Sequence, residues 1–110
     1  MIEYDDFVRV EMRVGRVLVV EDFPKAHKPT YKIEVDFGPE VGRLWTSAQA
    51  KSDYVADDLV GRLVIGAVNL TPKRIAGFES QFLLLGAPGV DGGLALLRPD
   101  RDAVVGSRVY

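Results

Sequence analysis

Four residues in one short stretch could act together on a ligand: Asn69, Lys73, Arg74 and Ser80. They begin at the end of an apolar run, Leu63 to Leu70, cross a Thr71-Pro72 turn, and stop just before Phe82. Packing does not require an amide, two cations and a hydroxyl at one strand end. Binding of a polyanion does, because cations and neutral donors satisfy phosphate and sugar oxygens. A structural reading competes: Asn69 satisfies backbone groups where the strand ends, and Lys73 and Arg74 are solvated turn charges. Loops both vary freely and carry function, so spacing alone does not separate the two.

A second polar group, Thr46, Ser47 and Gln49, closes the predicted third strand. Hydroxyls and an amide there could read sugar or base edges, or could be ordinary strand-edge polarity. Trp45 either stacks a base or belongs to a core or a subunit interface. His27 is the only histidine and has no Cys, Asp or Glu at ligand spacing, so it reads as a surface residue rather than a metal ligand or base. Gly-x-Ser-x-Gly, Gly-x-Gly-x-x-Gly and the phosphate-loop pattern are all missing. Nothing assembles a nucleophile, base and orienter, so no enzyme, catalytic residue, metal or cofactor is expected.

The 110 residues are expected to form one domain, 1–110, with a hydrophobic fraction of 47%. There is no cysteine, which excludes a disulfide framework, thiolate zinc and a cysteine nucleophile. No apolar run approaches the roughly 20 residues that span a bilayer. The first residues are acidic and polar, unlike a secretory signal. A soluble cytoplasmic protein with no membrane insertion is expected. The net charge of −2 argues against a simple nucleic-acid binder, which is usually basic. Yet residues 43–74 hold an excess of cations, between flanks with an excess of acids.

The elements needed to position these residues are mostly strands. Alternation predicts a strand from Val8 through Val14, and apolar residues resume at Val17–Val20 after Gly15, which reads as a bulge or bend. Tyr31, Ile33, Val35 and Phe37 share one face of a second strand, with Lys32, Glu34 and Asp36 on the other. Gly38-Pro39 and Gly42 turn the chain into a third strand, Arg43 to Ala48. Ser52 or Asp53 is expected to cap a short helix reaching Val60, with Gly61 at its exit. Strands are expected at 63–70, 82–85 and 94–97, with a Gly/Pro-rich loop at 86–93. Three strands, a short helix and then more strands is the layout of an all-β OB-fold. That is a five-stranded, partly open barrel with its helix between strands 3 and 4, here with short terminal extensions.

Several motifs stand in order along the chain: Tyr4-Asp5-Asp6-Phe7, Met12-Arg13-Val14-Gly15-Arg16-Val17, Phe23-Pro24-Lys25-Ala26 with Lys28-Pro29-Thr30-Tyr31-Lys32, Val35-Asp36-Phe37-Gly38, Thr46-Ser47-Ala48-Gln49, Leu59-Val60-Gly61-Arg62, and Val68-Asn69-Leu70-Thr71-Pro72-Lys73-Arg74-Ile75-Ala76-Gly77-Phe78-Glu79-Ser80. On these the chain resembles the stand-alone tRNA-binding domain family over nearly its whole length. That family includes C-terminal domains of some methionyl-tRNA synthetases, the endothelial-monocyte-activating polypeptide and, with the greatest likeness, the small dimeric CsaA-like proteins. The resemblance implies an OB-fold homodimer that binds tRNA by shape and phosphate contacts. It also implies, as an alternative, an export-related chaperone for unfolded or presecretory polypeptides. Carried over position by position, the binding candidates are Lys32, Ser47, Gln49, Asn69, Lys73, Arg74 and Ser80. Arg13 and Arg16 fall in a matching motif as either structural or ligand-facing residues. The chain departs from the family at Trp45 and at His27, where arginine is common.

Overall fold

Strict alternation in the second strand sets the core. The computed structural model describes all residues, 1–110. In it β2 (Tyr31–Asp36) buries Tyr31, Ile33 and Val35, and Phe37 follows on the same side. Full burial of each such side chain contributes about 1.5–3 kcal/mol. β1 (Met12–Asp22) pairs antiparallel with both β2 and β4 (Leu63–Ala67). β3 (Arg43–Ala48) flanks β2, and β7 (Leu83–Leu84) flanks β4, giving the order β3-β2-β1-β4-β7.

The two outer strands of this sheet approach each other without a regular ladder. Thr46 donates its hydroxyl to the Phe82 carbonyl at 2.7 Å. Trp45 and Gln81 exchange two further bonds: the Gln81 N–H reaches the Trp45 carbonyl at 2.8 Å, and the Trp45 N–H reaches the Gln81 side-chain oxygen at 2.9 Å. The result is a nearly closed five-stranded barrel with a helical turn, α3 (Ala56–Leu59), between the third and fourth barrel strands. This is the OB-like layout that the order of elements predicted.

Phe37 fills the barrel, and two glycines make room for it. A Cβ on Gly66 would lie 2.7 Å from the Phe37 ring and 2.9 Å from that of Phe82. One on Gly15 would collide with Val35 and sit 2.7 Å from Phe37. The Phe37 and Phe82 rings meet edge to face at 4.9 Å. Gly15 therefore serves packing, whereas the expected bulge lies further on, between Val17 and Val19.

Other boundaries differ for local reasons. Residues 4–9 form a helix, α1, where strand alternation from Val8 was expected. The Glu3 N–H bonds the Asp6 carboxylate at 3.0 Å and starts the helical turn, while Val8 and Val10 face solvent. Gly38–Val41 is a single helical turn, α2, with Pro39 inside its first turn. The N-cap of α3 is Val55, not Ser52 or Asp53. Gly61 does follow the helix with a φ of 86°. The fourth strand stops at Ala67, and the polar stretch after it holds a hairpin, β5 (Lys73–Ile75) and β6 (Phe78–Ser80). The expected 86–93 loop contains β8 (Gly86–Pro88), paired with β9 (Leu94–Leu96). No helix is long and apolar enough to cross a membrane.

Candidate nucleic-acid interface

Four of the seven candidate residues lie in one transverse row. Lys32 on β2 is the register partner of Ser47 on β3. The Ser47 N–H meets the Ser80 hydroxyl oxygen at 3.4 Å. Ser80 on β6 is the register partner of Lys73 on β5. A cation therefore stands at each end of the row, with two hydroxyl side chains between. The row depends on the small hairpin, which turns at Ala76 and Gly77 with φ values of 48° and 81°. Positive φ at both central residues matches the twist of the paired strands and brings β6 against β3.

The cations differ in how far the protein already satisfies them. Neither Lys32 nor Lys73 forms an ion pair, whereas Arg74 lies 3.6 Å from Glu79 and donates to the Gly77 carbonyl at 2.8 Å. The Lys32 ammonium sits 4.8 Å from the Phe23 ring centroid and 5.0 Å from that of Phe78. Attraction to two ring faces holds this charge in place without neutralising it.

The hydroxyls are ordered by their acceptors. Thr46 has one proton and uses it on the Phe82 carbonyl. Its 3.0 Å contact with Ser80 is then made by the Ser80 proton. Ser80 consequently keeps acceptor capacity but no free proton. Ser47 retains its hydroxyl proton, and exposed Gln49 lies with it along a groove of about 790 Å³ between the His27–Lys28 loop and β7–β8.

Asn69 is turned to another task. Its Oδ1 accepts the Glu11 N–H at 2.9 Å, and its Nδ2 donates to the Arg9 carbonyl at 2.8 Å. One amide thereby fastens the end of α1 to the start of β1. Arg13 is likewise internal: its guanidinium binds Glu11, Glu40 and the Gly106 carbonyl. Bonds to Glu11 first and Glu40 second raise its pKa above the ordinary arginine value. Arg16 donates to the Gly61 carbonyl at 2.8 Å. The aromatic surround of Lys32 went unforeseen. Its signal was Phe78, the one aromatic residue in the stretch from Thr71 to Ser80.

The fold is an OB-like barrel, an architecture that commonly binds oligonucleotides on the face of its second and third strands. Residues 12–108 match the family model described as "Putative tRNA binding domain", and the chain belongs to that tRNA-binding domain family. It is 41% identical over 109 residues to a methionine–tRNA ligase of Thermococcus onnurineus, covering 98% of this chain but only 14% of the ligase. Among solved structures it is similar to a CsaA chaperone protein of Picrophilus torridus, with 41% identity, full coverage of both chains and a TM-score of 0.93. It is also similar to a MetRS-related protein of Pyrococcus horikoshii, with 31% identity, coverage of 100% of this chain and 98% of the other, and a TM-score of 0.87.

Proposed function

We propose that this chain is a non-catalytic tRNA-binding module that grips the RNA along Lys32, Ser47, Ser80 and Lys73, with Arg74 and Gln49 at the flanks. The observation that carries the reading is the row itself, in which two unpaired lysines bracket two hydroxyl side chains across two strand pairings and one hydrogen bond between them. Lys32 and Lys73 contact phosphates. Ser47 and Gln49 donate to sugar or phosphate oxygens, and the Ser80 oxygen accepts from a ribose 2′-hydroxyl. Arg74 joins by exchanging Glu79 for phosphate. Asn69 contributes through the scaffold, by fixing the strand end from which the hairpin departs.

The working unit in this reading is a cytoplasmic homodimer. The two termini adjoin, since the Val109 N–H bonds the Met12 carbonyl at 2.9 Å and Arg108 bonds the Val8 carbonyl. Ile2, Tyr4, Val8, Val104 and Tyr110 leave apolar surface exposed on these segments. Covering it with a second copy would join two rows on one tRNA and raise avidity without a new contact type. Filter binding of bulk tRNA at two salt concentrations tests the row. Combining Lys73→Ala with Arg74→Ala is expected to weaken binding and flatten its salt dependence. An unchanged curve at both salts counts against it. Sedimentation at micromolar concentration tests the dimer.

One feature favours a second reading, polypeptide binding. The 790 Å³ groove has an apolar side built from Ala48, Ile75, Leu83, Leu84 and Leu94. Likeness to a structure described as a chaperone agrees with it. This reading expects suppression of aggregation that is insensitive to salt, and no suppression at stoichiometric protein removes it.

A further inference from the structure

Beside the row lies a second, smaller pocket, of about 340 Å³, lined by Glu21, Lys32, Trp45, Phe78, Glu79 and Gln81. We infer that this pocket receives one unpaired nucleobase of the bound RNA, stacked on Trp45 with its edge toward Phe78, whose ring stands at 85° to that of Trp45. The inference rests on the tRNA-binding reading above and extends it from phosphate contacts to a base contact.

Three observations select a base over other occupants. The wall is aromatic: the Trp45 and Phe78 rings meet at 6.4 Å and 85°, and both residues are half-buried. Every nucleobase has a π-face that stacks on such a wall. Next, two carboxylates line the same pocket, Glu21 and Glu79, the latter shared with Arg74 at 3.6 Å; they disfavour a phosphate and can accept the N–H groups of a neutral base edge. Last, the donors are set. The Gln81 side-chain oxygen is occupied by the Trp45 N–H, which leaves its NH₂ for a ligand, and the Lys32 ammonium is held at the Phe78 ring. A planar group carrying both donors and acceptors satisfies this rim. Lys32 belongs both to the pocket and to the row, so a phosphate on the row and its base in the pocket can come from one strand.

Trp45 is the only tryptophan, so its emission reports on the pocket directly. The folded chain is titrated with a pentaribonucleotide of mixed sequence, an abasic pentamer of equal charge, and an extended apolar peptide. The proposal expects saturable quenching by the pentaribonucleotide and little by the abasic pentamer. Equal quenching by both pentamers, quenching by neither, or quenching by the peptide alone overturns it. In anisotropy measurements Trp45→Leu should weaken binding of the pentaribonucleotide about five- to 150-fold, the range of a base stack, and Phe78→Leu should weaken it less. Trp45→Phe should retain most of it. Circular dichroism establishes that each variant is folded, and the bonds between Trp45 and Gln81 use the Trp45 main chain and survive substitution.

The two readings fail separately. If tRNA binds with the salt dependence of the row, yet Trp45 stays silent and Trp45→Leu binds equally well, the pocket is refuted and the row stands. If tRNA does not bind but the base-bearing pentamer quenches Trp45 and the abasic one does not, the tRNA reading fails and the pocket stands.

Discussion

The hydroxyl oxygens of Thr46 and Ser80 lie 3.0 Å apart, and Phe82 decides which of them gives the proton. A carbonyl can only accept, so the single Thr46 proton goes to Phe82 and Ser80 must donate to Thr46. One buried threonine thus joins barrel closure to the binding row. Its side chain ties β3 to the chain beyond β6, and its oxygen anchors the serine at the centre of the row.

Thr46→Val keeps the shape of the side chain and removes both bonds. It strands the Phe82 carbonyl and the Ser80 proton, at a cost of about 1–3 kcal/mol. Urea unfolding should show this loss, with Thr46→Ser close to the parent chain. Ser80→Ala should cost less, about 0.5–1.5 kcal/mol. It should also reduce tRNA affinity less than Lys73→Ala does, because its proton was never available to phosphate. A larger affinity loss for Ser80→Ala would reverse the assigned direction of that hydrogen bond.

Charge at the hairpin can be raised as well as lowered. Each phosphate contact removed from a single-stranded or duplex site lowers the logarithmic salt slope by about 0.7–0.9. Lys73→Ala and Lys32→Ala should each do so. Glu79→Gln should act in the opposite direction, because it releases Arg74 from a carboxylate 3.6 Å away. Exposed pairs of this kind are worth about 0–1 kcal/mol. The gain in affinity should therefore be no more than about fivefold at low salt, and should fade as salt rises.

Asn69 separates scaffold from contact. Asn69→Ala removes the acceptor for Glu11 and the donor to Arg9. The expected loss is about 0.5–1.5 kcal/mol, since both bonds are exposed. Amide exchange should quicken in residues 3–11, while the salt slope for tRNA stays at its parent value. A reduced slope with unchanged exchange would return Asn69 to the set of direct contacts.

Phe37 makes a test of barrel packing. Gly66→Ala places a methyl 2.7 Å from its ring and 2.9 Å from that of Phe82, both inside a close-packed core. Overpacking of this kind costs about 1–3 kcal/mol. Phe37→Leu in the same chain should recover part of the loss, because it removes the ring that the new methyl meets. Thermal unfolding of the two single variants and the double variant measures that coupling.

The legible parts of this fold were those in which one periodic signal acted alone. β2 alternates strictly over Tyr31 to Phe37, and it emerged with its buried face as expected. At the N-terminus the same alternation misled. Val8 and Val10 continue the strand pattern, but a local bond from Glu3 to Asp6 starts a helix that runs to Arg9, where the clamp from Asn69 holds its end. The pairing of Gly86, Ala87 and Pro88 could not be read from propensity, since these residues rarely build strands and here follow the register of Leu94–Leu96. Among the site residues, the motifs singled out Lys32, Ser47, Gln49, Asn69, Lys73, Arg74 and Ser80. The alignment of four of them, Lys32, Ser47, Ser80 and Lys73, depends on a hairpin and a register that spacing along the chain does not encode.

That hairpin was hidden by its own turn. A two-residue turn with positive φ at both positions normally announces itself as Asn-Gly or Asp-Gly, but here the first position is Ala76 at φ 48°. An alanine in the left-handed region is disfavoured by roughly 1–2 kcal/mol, and asparagine tolerates that region far better. Ala76→Asn should therefore stabilise the hairpin, by up to about 1 kcal/mol, and slow amide exchange in residues 73–80. If the hairpin is what brings Lys73 level with Ser47 and Lys32, a firmer hairpin loses less entropy on binding. The variant should then bind tRNA more tightly with the salt slope unchanged. Tighter folding with weaker binding would mean that the hairpin must open to admit RNA, and that the row of the unbound chain is not the row that grips it.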